Sequence, residues 1–461
     1  MNPIHLKFIS GQMAQYVAHL HFEDLPTDVR TLAHWVLLDT LGCALAGAGT
    51  DEVLQIRQAI FQANGSAGDT IVWGSEEKAP LPLAALMNGA AVHAREMDDF
   101  GGCAHSGSVV IPAALGVGAR LGSSGKQLLT AIVAGYDIAR RVMDGGGGYQ
   151  SFKKRGWHST STCGGFGAAA AAGHLMGLDA QRLQWALGYA GSNAGGTWAY
   201  IPEGAMSKRV HPGFAAHTGI ISAYLAANNV TAPASIFEAP WGGYYATYVP
   251  DSDSSNEAVR DLGQDFRIRL VGFKPYAACR GIHSSIDVIL GLREKYQLQA
   301  KEVTKIVVRG SRTHLKQLAK QKVTTLLDAQ MSLPYSIAVA LISGGAMLDQ
   351  YTAEALKREA VHALAAQVEL KHEASVADGE EPYIDVYLQD GRVLSDRVLV
   401  ALGGRQNPLT ETQLRAKFRT AASASLNEAQ INRLEDCVFS IEKLKHCGQL
   451  GLLLVPQKGS Q

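Results

Sequence analysis

The sequence has no excess of charge of either sign: Lys plus Arg and Asp plus Glu number 42 each. A general nucleic-acid binder leans on a basic surface, so that class is not expected, while a local basic pocket stays open. The six cysteines stand at positions 43, 103, 163, 279, 437 and 447, with no CxxC pair among them. Neither a zinc ribbon nor a cubane iron–sulfur cluster is signalled, and free thiols in a reducing cytoplasm are expected. No uninterrupted apolar run reaches membrane-spanning length, and MNPIHLKFISGQ lacks the basic-then-apolar pattern of a signal peptide, so no membrane partner is expected. Nucleotide and hydrolase signatures are missing as well. Gly125-Lys126 lacks the upstream glycine of a P-loop and runs into Gln127; Gly116-Val117-Gly118 is not completed as GxGxxG; no GxSxG occurs. ATP, NAD and serine-hydrolase chemistry therefore lack their usual support.

What is present in quantity is small residues. The 49 glycines and many alanines concentrate between about residues 40 and 230, which predicts closely approaching helices. At 461 residues, two domains are expected. Val29, Leu32, Ala33, Val36, Leu37 and Leu41 recur at helical steps after Leu25-Pro26-Thr27. Further helices are predicted at about Lys126–Val142, Ala168–Leu175, Gln181–Ala190 and Gly213–Ala227. The character changes after about residue 262. Val303–Arg309 and Gln367–Lys371 read as strands, and Tyr383–Leu388, Asp390-Gly391 and Val393–Val400 read as a hairpin with its turn. Helices are predicted among these strands at about 283–295, 333–343 and 352–363, and beyond them at Thr410–Thr420 and Asn427–Lys443. The expected architecture is mostly α with an α+β second domain.

Five segments could carry chemistry. In GAMSKRVHPGFAAHTG (204–219), Lys208, Arg209 and His211 stand before a run of small residues, an arrangement suited to a carboxylate or phosphate at a helix start. Arg209 can equally be a structural ion pair, and His211 can simply shape the entry to Pro212. In HAREMDDFGGCAHSG (93–107), Asp98, Asp99 and His105 can act as acid and base, orient an imidazole or bind a metal, whereas Glu96 alone reads as an exposed acid. In RGWHSTST (155–162), one hydroxyl caps a helix, which leaves His158 unexplained. In KPYAACRGIHSSID (274–287), Arg280 and His283 share a face if the helix has begun there, and Arg280 could bind a carboxylate. In SLPYS (332–336), Tyr335 is a proton donor or a core aromatic.

Taken together these segments resemble the MmgE/PrpD family, along nearly the whole chain. FEDLPTDVRTLAHWVLLDTLGCALAGA (22–48) is similar to its N-terminal helix, HAREMDDFGGCAHSG to its H-A-x-D-x-D-D-T loop, and NPLTETQLRAKF (407–418) to its C-terminal block. GWHSTST, GAMSKRVHPGFAAHTG, KPYAACRGIH and SLPYSIAVAL match the blocks between. The resemblance implies a large all-helical domain, residues 1–265 completed by 405–461, a smaller α/β lid at 266–404, and a homodimer. It implies an active site between the domains, with Glu96, Phe100, His105, His158, Lys208, His283 and Tyr335 in it. Two positions depart from the family: its Asp is Glu96 and its Thr is Phe100. Phe100 cannot donate a hydrogen bond and fills space, which predicts a smaller site or a less highly charged acid.

The chemistry implied is making or breaking a bond next to a carboxylate, without cofactor or metal. Removing an α-proton from a carboxylate gives a doubly charged aci-carboxylate that must be neutralised. Lys208, with Arg280, is expected to do so; His158 or His105 to take the proton; Tyr335 or another histidine to protonate a leaving hydroxyl. Asp98 and Asp99 are expected beside the substrate. The first expectation is a cofactor-independent hydro-lyase of the 2-methylcitrate dehydratase type acting on a small hydroxy-carboxylic acid. The alternatives are an epimerase of the iminodisuccinate type, a cis-aconitate-type decarboxylase, and a non-catalytic acid-binding protein.

Overall fold

The computed structural model describes residues 7–457. A large helical domain carries a smaller α/β domain. The helices that build the site are α1 (Thr27–Gly47), α2 (Leu81–His93), α3 (Gly107–Leu121), α4 (Gly125–Gly145), α5 (Gly164–Leu175), α6 (Ala180–Ser192) and α7 (Ser207–Ala227). In α2 every residue from Ala84 to His93 is buried, as expected of a helix apolar all round. α4 starts on a capping box: the Ser124 hydroxyl accepts the Gln127 N–H at 3.3 Å and the Gln127 carboxamide oxygen accepts the Ser124 N–H at 2.8 Å.

α7 packs against both α2 and α5. A Cβ at Gly213 would collide with the Leu86 carbonyl of α2, and one at Gly219 with Ala168 of α5. The glycine and alanine run of α7 is therefore a packing requirement. It brings Lys208, in the first turn of α7, within reach of His93 at the end of α2.

The smaller domain holds α8 (His283–Tyr296), α9 (Leu333–Ser343) and a four-stranded mixed sheet of β1 (Val303–Gly310), β2 (Val368–His372), β3 (Tyr383–Leu388) and β4 (Val393–Asp396). The order is β2-β1-β3-β4, with β1 and β2 parallel and the other neighbours antiparallel. β4 ends at Asp396, short of Val400, because Arg397 folds back over the Tyr383 ring and donates to the Glu381 carbonyl. The helix expected at 352–363 divides into a 3-10 turn, Ala355–Lys357, and a helix, Glu359–Ala365. After the sheet come α10 (Glu411–Ala422) and α11 (Glu428–Phe439), capped by Thr410 and Asn427. α10 lies on α1, where buried Lys417 pairs with Asp39 at 2.6 Å and donates to the Met97 carbonyl. Among the described residues no single helix is long and apolar enough to cross a membrane.

Candidate active site

A cavity of about 380 Å³ opens between the two domains. Phe100, His105, His158 and Lys208 line it from the helical side, and Arg280, His314 and Glu381 from the other. The loop joining α2 to α3 forms its floor. Two non-glycine residues of that loop, Glu96 (φ 54°) and Ala104 (φ 105°), adopt left-handed backbone. Such conformations cost about 1–3 kcal/mol each and persist where their surroundings hold them.

For Glu96 the surroundings are three cations. One carboxylate oxygen contacts the Lys208 ammonium and lies 2.9 Å from Arg209 Nη1; the other lies 3.2 Å from Lys274 Nζ, which also donates to the Glu96 carbonyl at 3.0 Å. The side chains of Glu96 and Lys208 are 1% and 3% exposed, so each needs the other's charge. Glu96 is therefore buried, not an exposed acid. The anion at the start of α7 is the protein's own. α7 also begins six residues earlier than expected, so Lys208, Arg209 and His211 belong to its first turns and Pro212 lies inside the helix. Burial first, then the neighbouring Arg209 and Lys274, pull the Lys208 ammonium well below its ordinary pKa.

Asp98 organises the histidines. Its Oδ2 lies 2.8 Å from His93 Nδ1 and 3.3 Å from His105 Nδ1, and the latter also lies 2.9 Å from the Asp99 carbonyl. Acceptors on Nδ1 assign the proton there and leave Nε2 of both rings with a lone pair. Burial raises the Asp98 carboxyl, but its contacts with His105 and then His93 outweigh it and hold its pKa well below the usual range. Asp99 behaves differently. Burial and then the Asp98 charge push it up to about 7, against the Gly107 N–H that it accepts at 3.0 Å. His158 precedes the short helix Ser159–Thr162, and its ring centroid lies 6.1 Å from that of His93 and 6.4 Å from that of His105. Burial, then Lys208 and His105 against the opposing Asp98, lowers His93 well below the ordinary histidine pKa; burial, then the His211, His93 and His105 imidazoles, does the same for His158. Both rings rest neutral.

One nitrogen from each of His93, His105 and His158 lies within 4.8 Å of the others. Around them Lys208, Arg209 and Lys274 are paired with the Glu96 carboxylate, and Asp98 takes two of the three rings.

Glu96, Phe100, His105, His158, Lys208 and Arg280 line the cavity, and Asp98 and Asp99 stand behind His105. Arg280 is held by Glu381 at 3.1 Å and lies 5.1 Å over the Phe100 ring. It sits in a 3-10 turn that runs directly into α8, close enough to His283 that, after burial, its charge lowers that imidazole's pKa, yet only Arg280 lines the cavity. His283 is buried outside the cavity lining, its Nε2 3.1 Å from the Ala278 carbonyl and its ring against Tyr276. Tyr335 is likewise outside the lining; its hydroxyl donates to the Gln350 carbonyl at 3.0 Å. In this arrangement both have the contacts of core residues. His93 and Lys274 were not singled out by sequence reasoning. Both lie in segments rich in other candidates, and only the fold shows that they face the same two carboxylates.

The MmgE/PrpD N-terminal domain matches residues 11–256 and the MmgE/PrpD C-terminal domain residues 276–441. The chain belongs to the MmgE/PrpD family. It is 28% identical to a cis-aconitate decarboxylase-like protein of Aspergillus oryzae over 97% of each chain. It is 26% identical to a cis-aconitate decarboxylase of Aspergillus terreus, over 95% of this chain and 94% of that one. It is 28% identical to the human cis-aconitate decarboxylase, over 97% and 95% respectively. Decarboxylases are lyases, and for this chain the similarity supports that class without fixing a subclass.

Proposed function

We propose that this chain is a lyase acting on a small organic acid, cleaving a bond beside a carboxylate with its own side chains as acid and base. Decarboxylation is the first reading, supported by full-length similarity to decarboxylases. The observation that carries the site assignment is Asp98 holding His93 and His105 beside His158, at a cavity walled by Lys208 and Arg280.

The cations of the cavity are already partly matched, Lys208 by Glu96 and Arg280 by Glu381. A substrate carboxylate therefore meets a moderately positive wall, beside the apolar surfaces of Phe100, Met143, Trp198 and Leu318. Poor solvation of a carboxylate favours its loss as neutral CO2. The C–C bond breaks, its electron pair stays on carbon and spreads into the adjoining unsaturated or carboxyl group, and an imidazole N–H supplies the proton that replaces CO2. Lys208 and Arg280 stabilise the charge that spreads.

A hydro-lyase is the second reading, supported by the resting state of the histidines. His93 and His158 are held neutral, the form that removes an α-proton. An epimerase would begin with the same step. One experiment separates them: NMR in D2O of the enzyme with a panel of unsaturated, hydroxy and amino di- and tricarboxylic acids. CO2 release with one deuterium gained supports the decarboxylase, an alkene without CO2 the hydro-lyase, and deuterium exchange without net conversion the epimerase. No exchange and no product with any acid would sink the lyase reading.

A further inference from the structure

His158 has a partner on the side away from the cavity. Its Nδ1 lies 3.0 Å from Nδ1 of His211. The contact is built from several directions. The His158 N–H donates to the Gly196 carbonyl at 3.1 Å, the Ser161 hydroxyl donates to the His211 carbonyl at 3.2 Å, and Tyr200 packs edge-on against both rings. His158 lines the cavity between the domains; His211 does not. His211 instead lines a second cavity of about 420 Å³, with Ser161, Gly196, Ser207, Val210 and Phe214. The two imidazoles therefore form a bridge between two separate cavities.

Two nitrogens at 3.0 Å share one proton, so exactly one of the rings carries N–H at Nδ1 when both are neutral. Each ring then keeps Nε2 for the far side. We propose that His211 is the proton-relay partner of His158, connecting the reaction cavity to the second cavity. The inference rests on the lyase reading and deepens it, because decarboxylation consumes one proton per turnover. The proton enters at His211 Nε2. The Nδ1 proton of His211 passes to Nδ1 of His158. The Nε2 proton of His158 passes to the carbon that lost CO2. Both rings end neutral as the opposite tautomers and return by exchange with water. Burial and the nearby Lys208 bring His211 down to about 4, close in direction to its lowered partner, so neither ring traps the proton. The groups facing the pair are His93, His105 and Asp98 toward His158, Lys208 toward His211, and Tyr200 toward both.

The test uses the full-length enzyme with His211→Ala and His211→Asn. Asparagine keeps an amide near the position of Nδ1, and so can hold His158, but it cannot pass a proton. The relay predicts a fall in kcat of at least tenfold in both variants with KM within about twofold. It predicts recovery of the Ala variant by added imidazole, and none for Asn. Wild-type kcat in either variant, or restoration by Asn alone, would overturn the relay and leave His211 a structural support. A second measurement needs no substrate: 15N-histidine NMR across pH. The His158 nitrogen signals should change tautomer ratio in His211→Ala, and unchanged signals would remove the pair. If the wild-type enzyme releases no CO2 from any acid, the decarboxylase reading fails by itself and the NMR result still decides the pairing.

Discussion

Asp98 Oδ2 lies 2.8 Å from His93 Nδ1, with both side chains fully buried. The same oxygen lies 3.3 Å from His105 Nδ1. One carboxylate thus fixes the tautomer of two imidazoles; His105 lines the cavity, while His93 Nε2 lies 3.8 Å from the Glu96 carboxylate. Asp98→Asn keeps the shape and removes the charge; an amide oxygen turned to the rings sets the NH2 toward the Lys274 ammonium, and an NH2 turned to the rings requires a reversed tautomer. We expect kcat to fall by roughly 10²- to 10⁴-fold, the range for losing a correctly presented acid–base group, with KM changing far less. Steady-state kinetics with a circular-dichroism check of folding measures it. Near-normal kcat would show that Asp98 does not orient the reacting ring.

Glu96 is the shared counter-charge of Lys208, Arg209 and Lys274. Glu96→Gln would leave those buried cations facing one another. Breaking a buried pair from one side typically costs about 3–5 kcal/mol. Thermal unfolding should therefore move down by several degrees. The double variant Glu96→Gln with Lys208→Met removes one uncompensated cation, and should be more stable than Glu96→Gln alone. Simple additivity of the two changes would show that the residues are not coupled.

The sequence exposed the elements whose signals are local. The period of α1, the β-branched run of β1 and the Asp390-Gly391 turn all correspond to observed structure. His105, His158, Lys208 and Arg280 also reach the cavity wall, their types unusual in otherwise small-residue segments, whereas Glu96 and Phe100 were expected there from the family resemblance alone. What was not legible depends on packing between distant segments. Lys274 is 178 residues from Glu96, and nothing in either segment announces the pair. The start of α7 was misread because Pro212 ordinarily marks a helix entry; here it lies inside the helix, whose burial against α2 outweighs the hydrogen bond that proline forgoes. His211 falls in the same gap, since its partner His158 is 53 residues away.

Phe100 lies under Arg280, with the guanidinium carbon 5.1 Å from the ring centroid, while Glu381 takes one Nη at 3.1 Å. Phe100→Thr would enlarge the cavity and free one face of the guanidinium. We expect kcat/KM for acids bearing an additional carboxylate to rise relative to smaller acids by about tenfold or more, within the range a single pocket contact usually supplies. A competition assay with paired acids measures the ratio. No change in preference would show that Phe100 does not set the charge of the guest.

The pH dependence of stability can be assigned to particular groups. His211 titrates at about 4 in the folded chain because burial and Lys208 oppose its charge, whereas an unfolded histidine titrates near 6.5. Between about pH 6.5 and 4 the unfolded chain binds the extra proton, so the His211 contribution is present above that window and is lost as pH falls through it. Asp99 has the opposite sign. Its folded pKa of about 7 exceeds the ordinary carboxylate value, so its contribution is full in acid and is lost as pH rises from about 4 through 7. Thermal unfolding of His211→Asn and Asp99→Asn beside the wild type should separate the two. Relative to His211→Asn, the wild type should lose stability between pH 7 and 5. Relative to Asp99→Asn, it should gain stability over the same descent. Parallel curves for the wild type and both variants would mean that neither group is held away from its ordinary titration, and the buried, neutral histidine pair would lose its electrostatic basis.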